Sequence, residues 1–397
     1  MPGEGLGIKE YIEWRGDVPF YVDPFGEVDA LVLAELSYLP FEGLLAKDGC
    51  TDYLPEQLTL RDAAERFDKK AVDEKLRIYT FDNDAELLFL AGRSERFGDI
   101  VIRAYSAKLS AGLEQQFAAA AFDLPDGTRF IAFRGTDDSI VGWKEDFNFS
   151  YMSETPAQKL AAEYLEANAG VGPVIVGGHS KGGNLAVYSA ARCSDEVRSR
   201  IKIVYSFDGP GFRDETARSE GFLRIVPLVK SIIPESSLVG QLLTEGTEHI
   251  IIRSSGSGVM QHNAYTWQVK RSRFVRTEEL SGFGAFINRT VNGWLSEMND
   301  EDRRMFTKAL FDVIGASEAD TFGELSKSGN RLKASAALIK AVSALRPEQQ
   351  KAVRRALKLL ARNSTQALKE LAEEKIQPAL PKKDTEKPAR EDKQPDA

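Results

Sequence analysis

One hexapeptide in this 397-residue chain combines a nucleophile, a basic ring and closely spaced glycines: Gly178-His179-Ser180-Lys181-Gly182-Gly183. The apolar run Val174-Ile-Val precedes it and Asn184-Leu-Ala follows, so a G-x-S-x-G spacing falls between an expected strand and an expected helix. Such a turn forces the serine into a strained backbone conformation and projects its hydroxyl above a sheet. Small residues must flank it so that strand and helix can approach. The helix N-terminus favours negative charge developing nearby. A Gly-rich packing turn is the bland alternative. A phosphate loop fits worse, because Gly183-Asn184 stand where Lys-Ser/Thr would be needed.

A serine hydroxyl needs a base, and the chain holds only three histidines: His179, His249 and His262. His179 adjoins the serine, and in this turn its side chain points away from the hydroxyl, towards local packing or hydrogen bonding. His249 opens an apolar strand and reads as a structural histidine. His262 lies in an irregular segment beyond that strand, where a nucleophile of this kind needs its base. The acid is expected between serine and base in the order Ser…Asp/Glu…His. Asp208 ends the run Arg200-Ile-Lys-Ile-Val-Tyr-Ser-Phe207 and opens a Gly-Pro-Gly turn, on the same sheet edge as Ser180. Glu235 competes with it, and Asp208 could instead be a turn-capping residue. For the oxyanion, one donor is the backbone N–H of Lys181. The second is expected from Phe133-Arg134-Gly135-Thr136, with the Thr136 hydroxyl as a further donor. The Lys181 ammonium reads either as a group that attracts an anionic substrate or as one reaching a nearby carboxylate.

These segments resemble known ones. Ile131-Ala-Phe-Arg-Gly-Thr136 followed by Trp143-Lys-Glu-Asp146 is similar to a segment of class 3 (triacylglycerol) lipases, and Gly178-His-Ser-Lys-Gly-Gly183 resembles their elbow. A closer likeness is to a largely uncharacterised bacterial family of lipase-like α/β-hydrolases. It rests on Val28-Asp-Ala-Leu31, the elbow through Ala186, Phe207-Asp-Gly-Pro-Gly-Phe212, Ile233-Pro-Glu-Ser-Ser-Leu-Val-Gly240 and Gln261-His262 with Trp267. The resemblance covers roughly residues 24–295. It implies an α/β-hydrolase fold with Ser180 as nucleophile and His262 as base, acting on carboxylic esters. Unlike the lipases, this chain has Lys181 after the serine and Asp208 where they have a small-residue turn. Their later acid-bearing segment has no counterpart here. The alternative is therefore a catalytically weak or inactive hydrolase-fold protein that binds a partner.

The elements needed to position these residues follow from pattern. Strands are expected at 99–109, 114–124, 129–133, 174–176, 200–207 and 249–254, with helices at 28–45 (broken at Pro40), 61–66, 156–169 and 182–192. That alternation implies a mostly parallel sheet flanked by helices. Residues 221–245, rich in apolar side chains, are expected either as a lid or cap insertion or as a packed helical insertion completing the core. Further helices are expected at 278–294, 301–314 and 330–375, the last two regions forming a C-terminal extension over 296–377. Residues 1–23 would be an N-terminal segment, and the Pro-rich charged stretch 378–397 a disordered tail. Net charge is −8, from 52 Lys and Arg against 60 Asp and Glu, and gives no reason to expect nucleic acid. No apolar run reaches the length of a membrane span, although the basic C-terminal helices could touch an anionic membrane surface. Two cysteines, Cys50 and Cys193, and no secretory leader at the start suggest the cytoplasm. No Cys/His cluster implies a metal, and the chemistry requires no cofactor.

Overall fold

The computed structural model describes residues 6–41, 58–73, 80–110, 112, 115–136, 140–243, 246–315 and 345–376. Cys50, the tail expected from residue 378 and residues 330–344 of the expected C-terminal helical region lie outside these residues. Eight strands run side by side in sequence order: β1 (Leu58–Thr59), β2 (Val101–Ser110), β3 (Gln115–Asp123), β4 (Arg129–Phe133), β5 (Val174–His179), β6 (Ile201–Phe207), β7 (Val229–Pro234) and β8 (His249–Ile252). The pairs from β1 to β4 are antiparallel and those from β4 to β8 parallel. A small hairpin, β9 (Val269–Lys270) and β10 (Arg273–Phe274), follows. The described helices are α1 (Ile8–Arg15), α2 (Glu27–Leu36), α3 (Leu60–Arg66), α4 (Phe81–Arg93), α5 (Ile140–Asn148), α6 (Pro156–Asn168), α7 (Lys181–Arg192), α8 (Asp195–Arg200), α9 (Asp214–Ala217), α10 (Glu220–Ile225), α11 (Gly282–Ser296), α12 (Asp300–Gly315) and α13 (Pro347–Ile376).

Strand order dictates where the helices go. From β4 to β7 each parallel connection advances one place in the same direction, and right-handed crossovers must then all land on one face. That face is closed by α6, α7 and α10, with Ala161, Leu165, Leu185, Tyr188 and Ile225 packed on Ile131, Phe133, Val176 and Val204. The opposite face needs a cover from outside the crossovers, and the N-terminal helices provide it. Helix α2 is buried from Val28 to Leu36 and apolar there except at Asp29 and Glu35. With α1 and α4 it covers Phe130, Ile175, Tyr205 and Phe207. Asp29 locks this layer: both carboxylate oxygens lie 2.7 Å from the buried Arg96 guanidinium, and the Tyr11 hydroxyl donates to Oδ1 at 2.8 Å. Helix α6 starts as expected, in a capping box between Thr155 and Gln158 with Pro156 in its first turn.

The architecture is that of an α/β-hydrolase, a largely parallel eight-stranded sheet flanked by helices with a helical C-terminal segment. One expectation is overturned. Much of 221–245 is not a lid: Val229–Pro234 forms β7, hydrogen-bonded between β6 and β8 inside the sheet. Its apolar richness reflects a strand buried on both faces, which periodicity alone does not separate from an insertion. Helix α4, in a region that reads as mixed polar sequence, buries Phe81, Ala85, Leu88 and Ala91 along one stripe. Among the described residues, no helix is long and apolar enough to cross a membrane.

Candidate active site

All the candidate residues stand just beyond the carboxyl ends of the parallel strands, where open α/β sheets collect their functional groups. Ser180 follows β5 and Asp208 follows β6. Register sets them side by side, with Ser180 N–H donating to the Phe207 carbonyl and Asp208 N–H to that of Ile232, each at 2.8 Å. Ser180 has φ 58° and ψ −132°, a conformation that non-glycine residues rarely adopt. The flanking glycines are required by space. A Cβ on Gly178 would meet the Gly182 backbone at 2.4 Å, and one on Gly182 would meet the Phe133 carbonyl at 2.0 Å.

The three side chains form a chain of hydrogen bonds. His262 Nε2 lies 2.9 Å from Ser180 Oγ, and His262 Nδ1 lies 2.6 Å from Asp208 Oδ2. Asp208, fully buried, also has a positive φ of 49°. Its Oδ1 accepts the Ser237 hydroxyl and the Gly240 N–H, the latter at 3.1 Å. The carboxylate is thus fixed at one oxygen and turned to His262 with the other. Asn184 supports the same turn, with its Nδ2 donating to the Pro210 and Gly211 carbonyls at 3.0 Å each. Glu235 enters through its backbone instead: its N–H donates to the Ile252 carbonyl, and its own carbonyl accepts Ser281 N–H. His249 is structural, 3.0 Å from Ser231 Oγ on the adjacent strand.

Two expectations about side chains change. The Thr136 hydroxyl donates to Asp146 Oδ2 at 2.5 Å, so it braces the turn after β4 instead of standing ready for an oxyanion. Burial raises the Asp146 carboxyl to about 6, against the opposing pull of Lys181. The Lys181 ammonium leaves the site altogether. It is fully buried, 3.2 Å from Glu145 Oε2 and donating to the Gln116 carbonyl at 2.8 Å. That removes the reading in which it attracts an anionic substrate. Its backbone N–H, first of α7, has no partner within the helix.

A cavity of about 370 Å³ opens beside Ser180 and His262. One wall comes from Leu238, Val239, Leu242 and Leu243 after β7, and another from Trp294 and Leu295 of α11, Phe306 of α12 and Met298 between them. A boundary at residue 295 therefore does not separate the site from an appendage. Arg303 ties α12 to the core through the Ser150 and Leu295 carbonyls, and Trp294 Nε1 donates to the Ala356 carbonyl of α13 at 2.9 Å. The sequence reading missed Ser237, Gly240, Asn184 and this wall. The first three lie in quoted motifs, yet nothing local marks their contact with the Asp208 turn. Among the described residues no group of three or more His, Cys, Asp or Glu is arranged to hold a metal.

Comparison with known proteins gives one family. The family model described as Mbeg1-like matches residues 91–312, more than half of the chain. Among solved structures, the crystal structure of M37 lipase matches with 14% identity and a TM-score of 0.32, over 53% of this chain and 68% of that one. No curated protein matches.

Proposed function

This chain belongs to the Mbeg1-like family, a lipase-like family, and on that premise we propose that it is a serine hydrolase of carboxylic esters, with Ser180 as nucleophile, His262 as base and Asp208 as the acid that orients the base. The observation that carries the reading is the continuous relay from Asp208 Oδ2 through both ring nitrogens of His262 to Ser180 Oγ, at 2.6 and 2.9 Å. In this reading Ser180 Oγ attacks the ester carbonyl carbon while its proton passes to His262 Nε2. Asp208 holds Nδ1–H and stabilises the imidazolium. The backbone N–H groups of Thr136 and Lys181 receive the negative oxygen. The carbon–oxygen bond to the alcohol then breaks, and the alcohol leaves with the proton from His262. A water activated by the same ring hydrolyses the acyl-enzyme and restores Ser180. The apolar walls of the cavity suit the acyl side of the ester, since such pockets hold ligands by buried apolar surface.

The test is labelling by a fluorophosphonate probe, wild type beside Ser180→Ala and His262→Ala, with p-nitrophenyl esters of increasing chain length as substrates. Labelling and hydrolysis lost in both variants are expected. A folded wild type that neither labels nor hydrolyses, with or without detergent, would sink the reading in favour of a binding role.

A further inference from the structure

Three buried ionisable groups have no part in that chemistry, yet all converge on the segment carrying His262. They are Glu35 at the end of α2, Asp84 in α4 and His179 in the elbow. His179 Nε2 lies 2.8 Å from the main-chain carbonyl of His262. A carbonyl only accepts, so Nε2 carries the proton and, in the neutral ring, Nδ1 presents a lone pair. Glu35 Oε1, buried and without a hydrogen-bond partner, stands 3.2 Å from Nδ1, and the Tyr38 hydroxyl stands 3.4 Å from it. An ionised carboxylate there would set one lone pair against another, whereas a protonated one donates. Burial drives both groups the same way, lifting the Glu35 carboxyl well above the usual range and depressing the His179 imidazole to about 3.

The surroundings agree with an uncharged pair. The rings of His179 and His262 lie 4.8 Å apart between centroids, tilted by 30°. A cation on His179 would oppose the imidazolium that His262 must become. Asp84 faces Glu35 from α4 and accepts the Tyr265 hydroxyl at 2.6 Å and that of Thr80 at 2.9 Å, which holds the His262 segment three residues further on. Lys9 lies over the outer side of the Tyr265 ring, 5.9 Å from its centroid. Asp208 stands on the other side of His262. A short 3-10 turn, Gly258–His262, carries the base and offers little rigidity of its own.

We propose that Glu35 and His179 form a second acid–imidazole pair, which positions the base: uncharged throughout turnover, it grips the main chain of His262 while Asp208 grips its ring. Both are positioning residues, since they act through His262, and the inference rests on the ester-hydrolase reading above.

The test compares Glu35→Leu, which removes the donor, with Glu35→Gln, which keeps an uncharged donor of similar size. Fluorophosphonate labelling rate, kcat and KM on a p-nitrophenyl ester, full pH profiles and thermal melts are recorded for each. Glu35→Leu is expected to lower kcat and labelling by about 10- to 100-fold with little change in KM. Glu35→Gln is expected to recover most of that loss. It should also extend the alkaline limb upward, because glutamine has no proton to lose. Gln and Leu variants equally impaired, or a Leu variant with wild-type kcat and pH profile, would overturn the pairing. If the Leu variant does not fold, the alkaline limb of the Gln variant decides: an upward move supports the pair and an unmoved limb overturns it. A wild type that never labels brings down the hydrolase reading and the pair together. A labelled wild type with Glu35 variants that behave alike brings down the pair alone.

Discussion

Ser237 contributes a single hydroxyl, and that hydroxyl decides which way Asp208 faces. Together with the Gly240 N–H it occupies Oδ1 and leaves Oδ2 for the imidazole. A hydrogen bond of this kind is worth about 1 kcal/mol, and more where the acceptor is charged, so Ser237→Ala should lower kcat by roughly tenfold with KM unchanged. Steady-state kinetics on one ester would check this. Lys181 makes a different prediction. Lys181→Met would strand a buried carboxylate on Glu145, at a cost of about 3–5 kcal/mol in stability. A second substitution, Glu145→Gln, removes the stranded charge and keeps an acceptor for the Gln116 and Ala157 N–H groups, so it should restore part of the loss, as read from thermal melts. The contrast marks what was legible. The G-x-S-x-G spacing and a single histidine in a suitable loop point to Ser180 and His262, because turn geometry and scarcity are local facts. The partners of Asp208 and Lys181 lie 29 to 65 residues away in sequence and are set by packing of the whole sheet edge.

At the scale of elements, the N-terminal layer does more than cover a face. Through Glu35 and Asp84, α2 and α4 carry titratable groups into the interior, and these give stability a pH dependence. Burial raises the Asp84 carboxyl from 3.8 to about 7, so the folded chain holds a proton there that the unfolded chain has released. That term is favourable in acid and is lost as pH climbs through this window. His179 works in the opposite sense. Its depressed value of about 3 means that stability falls as pH drops below the usual histidine range, where the unfolded chain takes up a proton first. Asp84→Asn should therefore flatten the decline in melting temperature between about pH 4 and pH 7, a comparison that melts at several pH values can make. Most of the elements are legible, since β4 and α6 carry clear alternation, capping and turn signals. Strand β7 is not: its six residues Val229–Pro234, with Lys230 the single charge and proline at the end, look the same in a buried strand as in an insertion. In α4 the stripe Phe81, Ala85, Leu88 was present in the sequence, masked by the acidic first turn Asp82-Asn83-Asp84.

Over the whole molecule, the site draws on residues from Glu35 to Thr307. The C-terminal helices supply one wall of the cavity, and their effect should be selective. Phe306→Ala, which also breaks an edge contact with Trp294 at 5.5 Å, should raise KM for long-chain p-nitrophenyl esters by roughly 10-fold. The acetate ester, too short to reach that wall, should be hydrolysed at its wild-type rate. A uniform loss over all chain lengths would mean that the helix serves stability alone. No composition or motif foretells this wall, because α11 and α12 carry the ordinary apolar stripe of any packed helix.

A site spread over this span also has an order of completion. During synthesis the N-terminal cover and the strands through β5 emerge first, and domains fold in that direction. Ser180 then leaves the ribosome before the helix α7 and strand β6 that complete its elbow, and without Asp208, His262 or a pocket. The base arrives 82 residues later and the far wall later still. On the hydrolase reading, a nascent chain thus holds a hydroxyl no more reactive than any other serine, and competence is among the last properties it acquires.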